Sequence, residues 1–165
     1  MLGYVIHDDT DGSDRMAALA RLLAGRGLRL GGAVQVNSTG GDCACDMDLS
    51  VLGTDAAPIR ISQALGPGSR GCRLDPAALE RAVGLALSAL AGADLVLLNK
   101  FGKQESLGRG FRDLIAESLG QGIPVLTAVA PDYLPAFHDF AGDDATLLGW
   151  EDAADWCLRP RGTAA

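Results

Sequence analysis

Two predominantly apolar runs constrain this chain more than any other feature: Ala93 to Asn99 (ADLVLLN) and Ile123 to Val129 (IPVLTAV). Neither alternates apolar with polar residues. A strand without that alternation has no face to offer to water, so it belongs inside a sheet covered on both sides. Helices supply such cover when parallel strands are joined by crossovers. The N-terminal segment carries the matching unit. Leu2 to His7 (LGYVIH) reads as a strand and His7 to Asp14 (HDDTDGSD) as a polar loop. Arg15 to Arg26 follows with helical spacing of Met16, Leu19, Ala20, Leu22 and Leu23, and Leu30 to Val36 (LGGAVQV) is a second strand. This strand–loop–helix–strand order predicts a mostly parallel sheet in three layers, with helices on both faces.

The remaining elements fit between these. Ser13 or Asp14 is the expected N-cap of the first helix, and Gly25 and Gly27 end it. Asn37 to Asp46 reads as loop. Met47 to Leu52 and Pro58 to Ser62 read as short strands, Gly66 to Gly71 as a loop, and Cys72 to Leu74 as a short edge strand. Asp75-Pro76 opens a helix running from Ala77 to about Leu90, because Asp accepts from free amides and Pro suits the first turn. Lys100 to Gly108 reads as a charged loop and Arg109 to Leu119 as an amphipathic helix. A short helix at Tyr133 to Phe140, a weak strand at Ala145 to Leu148 and a short helix at Glu151 to Cys157 complete the pattern. One α/β domain is expected over residues 1–158, with a tail at 159–165.

Composition excludes several classes. The chain has 165 residues and is 48% hydrophobic but only 5% aromatic, so Leu, Ala and Val must fill the core. No window reaches the run of about 18 apolar residues that a membrane helix needs. Residues 1–7 lack the basic region of a signal peptide, so the expected location is the cytoplasm. A net charge of −7 argues against general nucleic-acid binding. Self-association is left open.

In sheets of this kind ligands bind beyond the C-terminal ends of the strands. The loop after the first strand stands where a phosphate-binding P-loop would stand. A working P-loop is Gly-rich and ends in Gly-Lys-Ser/Thr, so that backbone N–H groups and the Lys surround the phosphates. Here Asp9, Thr10, Asp11, Gly12 and Ser13 occupy it, flanked by Asp8, Asp14 and Arg15. One Gly remains, the Lys is absent, and carboxylates repel a triphosphate unless a divalent ion intervenes. The buried strand Ala93 to Asn99 ends in Asn99-Lys100, where an Asp would hold magnesium; neither residue replaces it. Lys100, Lys103, Arg109 and Arg112 form a candidate anion-binding patch, to which Ser69, Arg70 and Arg73 could add. Solvated acidic turns and ordinary surface cations are the plainer alternatives for both loops.

Cys43, Cys45 and Cys72 could hold a soft metal as thiolates, although the C-x-C spacing has no matching second pair. Reduced, partly buried thiols are the plainer alternative, and Cys157 reads as structural. His7, at a strand end beside Asp8, is better placed for a site than His138.

The order of GGAVQVNSTG, IRIS, SRGCRLDPAALE, ADLVLLNKFGKQE and GIPVLTAV resembles the thermophile-type nucleoside-triphosphatases of the P-loop class. In that family the buried strand ends in Asp-Glu-Ile-Gly-x-x-Glu. Gly102 and Glu105 match this pattern, while Asn99 and Lys100 replace the Asp and Glu. Through DDTDGSDR, ISQALG, RGCRLD and LNKFGKQE the chain is also similar, over nearly its whole length, to an uncharacterised bacterial family often associated with molybdate-transport genes. These resemblances imply a P-loop fold with both nucleotide motifs altered. They establish no catalytic residues.

Three functions remain open. The first is a non-hydrolytic binding or regulatory protein for a small anion, either an oxyanion, with molybdate suggested by the resemblance, or a nucleotide. The second is an active nucleoside-triphosphatase with divergent motifs, using Asp9 or Glu105 and a divalent ion. The third is a protein that handles a metal or metal cofactor through its thiols. The candidate ligand-binding residues are Asp9, Thr10, Asp11, Gly12, Ser13, Ser69, Arg70, Arg73, Asn99, Lys100, Lys103 and Arg109.

Overall fold

A computed structural model describes residues 1–7, 11–36, 47–64 and 72–159. In chain order its elements begin with β1 (Leu2–Ile6), α1 (Gly12–Gly25), β2 (Leu30–Val36), β3 (Asp48–Val51) and β4 (Ile59–Arg60). Next come β5 (Ser62–Ala64), β6 (Cys72–Leu74), α2 (Pro76–Ser88), β7 (Leu95–Phe101), α3 (Lys103–Ser106) and α4 (Arg112–Gly120). The chain continues through β8 (Val125–Val129), α5 (Leu134–Ala141), β9 (Ala145–Leu147) and α6 (Trp150–Leu158).

Among the described residues the main sheet has seven strands in the order β4-β3-β2-β7-β8-β1-β9. The two apolar runs take the interior positions β7 and β8, as their composition requires. Pairing is parallel from β2 through β7, β8 and β1 to β9. It is antiparallel where β3 joins β2 and where β4 joins β3. Strands β5 and β6 form a separate antiparallel ribbon.

The helices divide between the two faces. On one, Met16, Leu19, Ala20 and Leu23 of α1 and Trp156 of α6 pack against Val5, Leu95 and Leu97. On the other, Ala78, Ala82 and Ala86 of α2, Leu114 and Ile115 of α4 and Phe137 of α5 pack against Val96, Leu98 and Val125. The chain is thus three-layered, with small Ala side chains letting α2 approach the sheet closely.

Several expected boundaries move. The first helix begins at Gly12, with Asp11 at the cap position and no side-chain cap bond, so neither Ser13 nor Asp14 caps it. The charged segment after Asn99 is not all loop: Lys100 and Phe101 continue β7, and Lys103–Ser106 forms a helical turn. The following helix starts at Arg112 rather than Arg109. Cys72–Leu74 is a short strand as expected, and it pairs with Ser62–Ala64, which extends past the expected strand end at Ser62.

The extension of β7 has a cause. Val96 and Leu98 face the α2 side, whereas Leu95 and Leu97 face α1. Phe101 would join Leu95 and Leu97 by simple alternation, yet it packs in the α2-side core. Leu98 pairs with Thr127 and Phe101 with Val129, so three steps along β7 match two along β8. This β-bulge spans Asn99 and Lys100. Bulges re-aim side chains and recur next to functional sites.

Candidate functional site at the strand ends

At the bulge, the buried Asn99 joins three elements. Its amide Nδ2 donates to the Ser13 hydroxyl at 3.2 Å, and its Oδ1 accepts from the Gln35 backbone N–H at 3.0 Å. The Ser13 hydroxyl is also 3.5 Å from His7 Nε2, and the His7 N–H donates to the Val129 carbonyl at 2.9 Å. The ends of β1, β2, β7 and β8 are thereby tied to the first turn of α1. Gly12 makes this approach possible: a Cβ there would lie 2.8 Å from the His7 ring. Gly12, the single glycine of the His7–Asp14 segment, thus has a packing reason.

Glu105 is buried, and backbone amides claim both of its oxygens. The Gly102 N–H donates to Oε2 at 3.0 Å and the Phe111 N–H to Oε1 at 3.1 Å. Burial pushes the Glu105 carboxyl above its ordinary value, while the bonds from Phe111 and Gly102 and the nearby Lys100 charge pull it back down. Its neighbour Gly110 has φ +60°, and a Cβ there would run into Oε1.

A cavity of about 340 Å³ opens beside this turn. Its walls are mostly apolar, from Met47, Leu49, Ile61, Leu74, Leu79 and Phe111. Gln35, Asn99, Gln104 and Tyr133 add polar groups, and the exposed Lys100 and Lys103 complete the lining. Glu105 borders it as well, with its oxygens on the backbone amides.

Of the residues singled out from sequence, the structure joins Ser13 to Asn99 beside Gly12, and brings Asn99, Lys100, Lys103 and Glu105 to one cavity. Arg109 lies in a different hollow with Pro76, Glu80 and Asp113. The Arg112 guanidinium stacks over Phe140 at 4.7 Å, so it belongs to the α4–α5 contact rather than to the lysine pair. Asp11 accepts from Arg15 at 2.8 Å in a partly exposed i,i+4 pair. Asp8, Asp9, Thr10, Ser69 and Arg70 lie outside the described residues, as do Cys43 and Cys45. Cys72 and Arg73 are placed on β6 by their backbone. Cys157 is buried in the α1-side core, and His138 packs edge-on against Tyr4 and Phe137. Sequence reasoning missed Gln35, Gln104, Tyr133 and the apolar walls. Only Gln35 gave a signal, as a polar residue within an apolar strand.

The sheet order and layering are those of a P-loop nucleoside-triphosphatase fold. The solution structure of a human cancer-related nucleoside triphosphatase is similar, with a TM-score of 0.58, 13% identity, and coverage of 94% of this chain and 92% of that one. The chain belongs to the family described as "Protein of unknown function (DUF2478)", whose model matches residues 2–156. It is also 42% identical over 147 residues to the molybdenum import ATP-binding protein ModC 2 of Bradyrhizobium diazoefficiens. That match covers 88% of this chain but only 16% of the relative's length. No helix among the described residues is long and apolar enough to cross a membrane.

Proposed function

We propose that this protein is a non-hydrolytic binding or regulatory module that takes a small anionic ligand, an oxyanion or a nucleotide, at the C-terminal ends of its strands. The observation that carries this reading is that Lys100 and Lys103 line one cavity whose carboxylate, Glu105, already accepts from two backbone amides. The magnesium position holds the neutral Asn99, whose amide already serves Ser13 and Gln35. Glu105, the acid that survives from the resemblance, has both oxygens on backbone amides. A carboxylate so engaged is a poor metal ligand, whereas the lysines suit an anion. The molybdenum-import name of the 42% identical relative supports molybdate as one ligand to try.

A ligand that binds the native state and not the unfolded one must raise the melting temperature, the more so as its concentration exceeds its Kd. Thermal shift and calorimetry with molybdate, tungstate, sulfate, ATP and GTP test the reading. Stabilisation by at least one of these anions is expected, and none by any would overturn it. The fold favours one competing reading, an active nucleoside-triphosphatase. Phosphate release from ATP or GTP with magnesium or manganese, lost in Asp9→Ala or Glu105→Ala, would establish that reading instead.

A further inference from the structure

We infer that the cavity between the β3–β4 extension and the Asn99–Phe111 turn takes a flat heterocyclic ring carrying an anionic group, of the nucleoside-monophosphate class, rather than a bare inorganic oxyanion. This rests on the anion-site reading above and narrows it. The first argument is size. A volume of about 340 Å³ falls in the range of organic-ligand sites, about 300–1,000 Å³. A tetrahedral oxyanion would fill a corner of it and leave the rest to water.

The second argument is the lining. Leu49, Leu74 and Phe111 offer nothing to an oxyanion, whose oxygens all need donors. They do offer contact to a ring face, and removing that apolar face from water is favourable. The third is the polar inventory. Gln35 and Gln104 are half-buried amides on the same cavity. An amide both donates and accepts, which suits the mixed edge of a heterocycle and not a ligand made only of acceptors. Lys100 and Lys103 are exposed and share the lining, so a charged group would meet them at the mouth while the ring lies deeper. This seat is built from β2, β3, β6, α2 and the β7 end. No described residue between β1 and α1 lines it, although Asn99, which does, bonds Ser13 at the start of α1.

At 17.0 kDa the full chain suits methyl NMR. The probes are AMP, GMP and UMP, with the matching nucleosides, inorganic phosphate and molybdate as comparison arms. At least one monophosphate is expected to bind more tightly than either inorganic ion and to shift the methyl signals of Leu49, Ile61, Leu74 and Leu79. The double variant Lys100→Gln/Lys103→Gln, at exposed positions that leave the fold intact, is expected to weaken that binding by about tenfold. If phosphate or molybdate binds in a lysine-dependent way while no monophosphate binds more tightly, the ring inference fails and the anion reading stands. If a monophosphate binds without moving those methyls, this cavity is not its seat and the inference is again overturned. If nothing binds, the ring inference falls, and the thermal-shift series with tungstate, sulfate, ATP and GTP decides the anion reading separately.

Discussion

The side chain of Asn99 spans from the Ser13 hydroxyl on α1 to the Gln35 amide on β2, with hydrogen bonds of 3.2 and 3.0 Å. It stands at a bulge in β7, so the bridge and the register irregularity are one feature. Leucine at this position would fill similar space but leave the Gln35 N–H and the Ser13 hydroxyl without these partners. Asn99→Leu is expected to lower stability by about 1–3 kcal/mol, because it removes two part-buried hydrogen bonds. Asn99→Asp keeps the acceptor for Gln35, and the Ser13 hydroxyl can turn to donate, so its loss should be smaller. Urea unfolding of both variants checks this order. A leucine variant as stable as the native chain would show that the bridge contributes nothing.

Glu105 gives a pH prediction. Burial disfavours its ionised form, so its folded value lies above the ordinary 4.5. The folded chain then holds this proton more tightly than the unfolded chain. Its contribution is fully present below 4.5, and it falls as pH rises through the raised folded value. Glu105→Gln cannot ionise and lacks that fall. It does place an amide NH₂ against one of two backbone donors, at a cost of about 1–3 kcal/mol. The stability advantage of the native chain over Glu105→Gln should therefore shrink from acid toward neutral pH. Denaturant titrations across that range measure the difference, and an advantage that grows with pH would contradict the assigned direction.

Gly110 is coupled to the same carboxylate. Its φ of +60° disfavours any side chain, and an added Cβ would displace Oε1 of Glu105. Gly110→Ala is expected to cost about 1–3 kcal/mol from backbone strain alone, with the displaced carboxylate adding to it. Part of that addition disappears when Glu105 is already changed. The double variant Gly110→Ala/Glu105→Ala, which removes the clashing oxygen, should therefore be more stable than the sum of its parts predicts, by about 0.5 kcal/mol or more. Strict additivity in thermal or urea unfolding would show that the two residues act apart.

The sheet interior was readable because its signal is strong and local. ADLVLLN and IPVLTAV admit only a strand covered on both faces, and they lie at β7 and β8. The layering followed from the helical spacing of residues such as Met16, Leu19 and Leu23. The bulge was not readable, because an extra residue in β7 shows only when β8 is laid beside it. That hid the continuation of the strand through Lys100 and Phe101, where charge suggested a loop. Proximity in sequence also misled about the cations. Arg109 and Arg112 follow Lys103 closely, but the turn at Gly110 sends one to the α2 N-terminus and the other onto Phe140. The cavity walls come from residues as distant as Met47 and Tyr133, and no local pattern marks them as neighbours.

The start of α2 is where the sequence pattern and the structure agree most closely, and it gives a clean test. The Asp75 Oδ1 accepts from the Ala77 and Ala78 amides at 3.0 and 3.2 Å, and Pro76 follows at the first helical position. These amides have no carbonyl one turn earlier to bond, so the carboxylate serves donors the helix itself leaves open. Its negative charge also lies at the positive end of the helix dipole. Asp75→Ala removes both effects and is expected to cost about 0.5–2 kcal/mol. Asp75→Ser keeps an acceptor without the charge and should recover most of that loss. Because α2 lines the cavity through Leu79, a frayed first turn would also loosen one wall. Faster amide exchange confined to the first turn of α2 in Asp75→Ala, restored in Asp75→Ser, is the outcome expected. Unchanged exchange would show that packing of Ala78 and Leu79, both buried, holds the helix start without its cap.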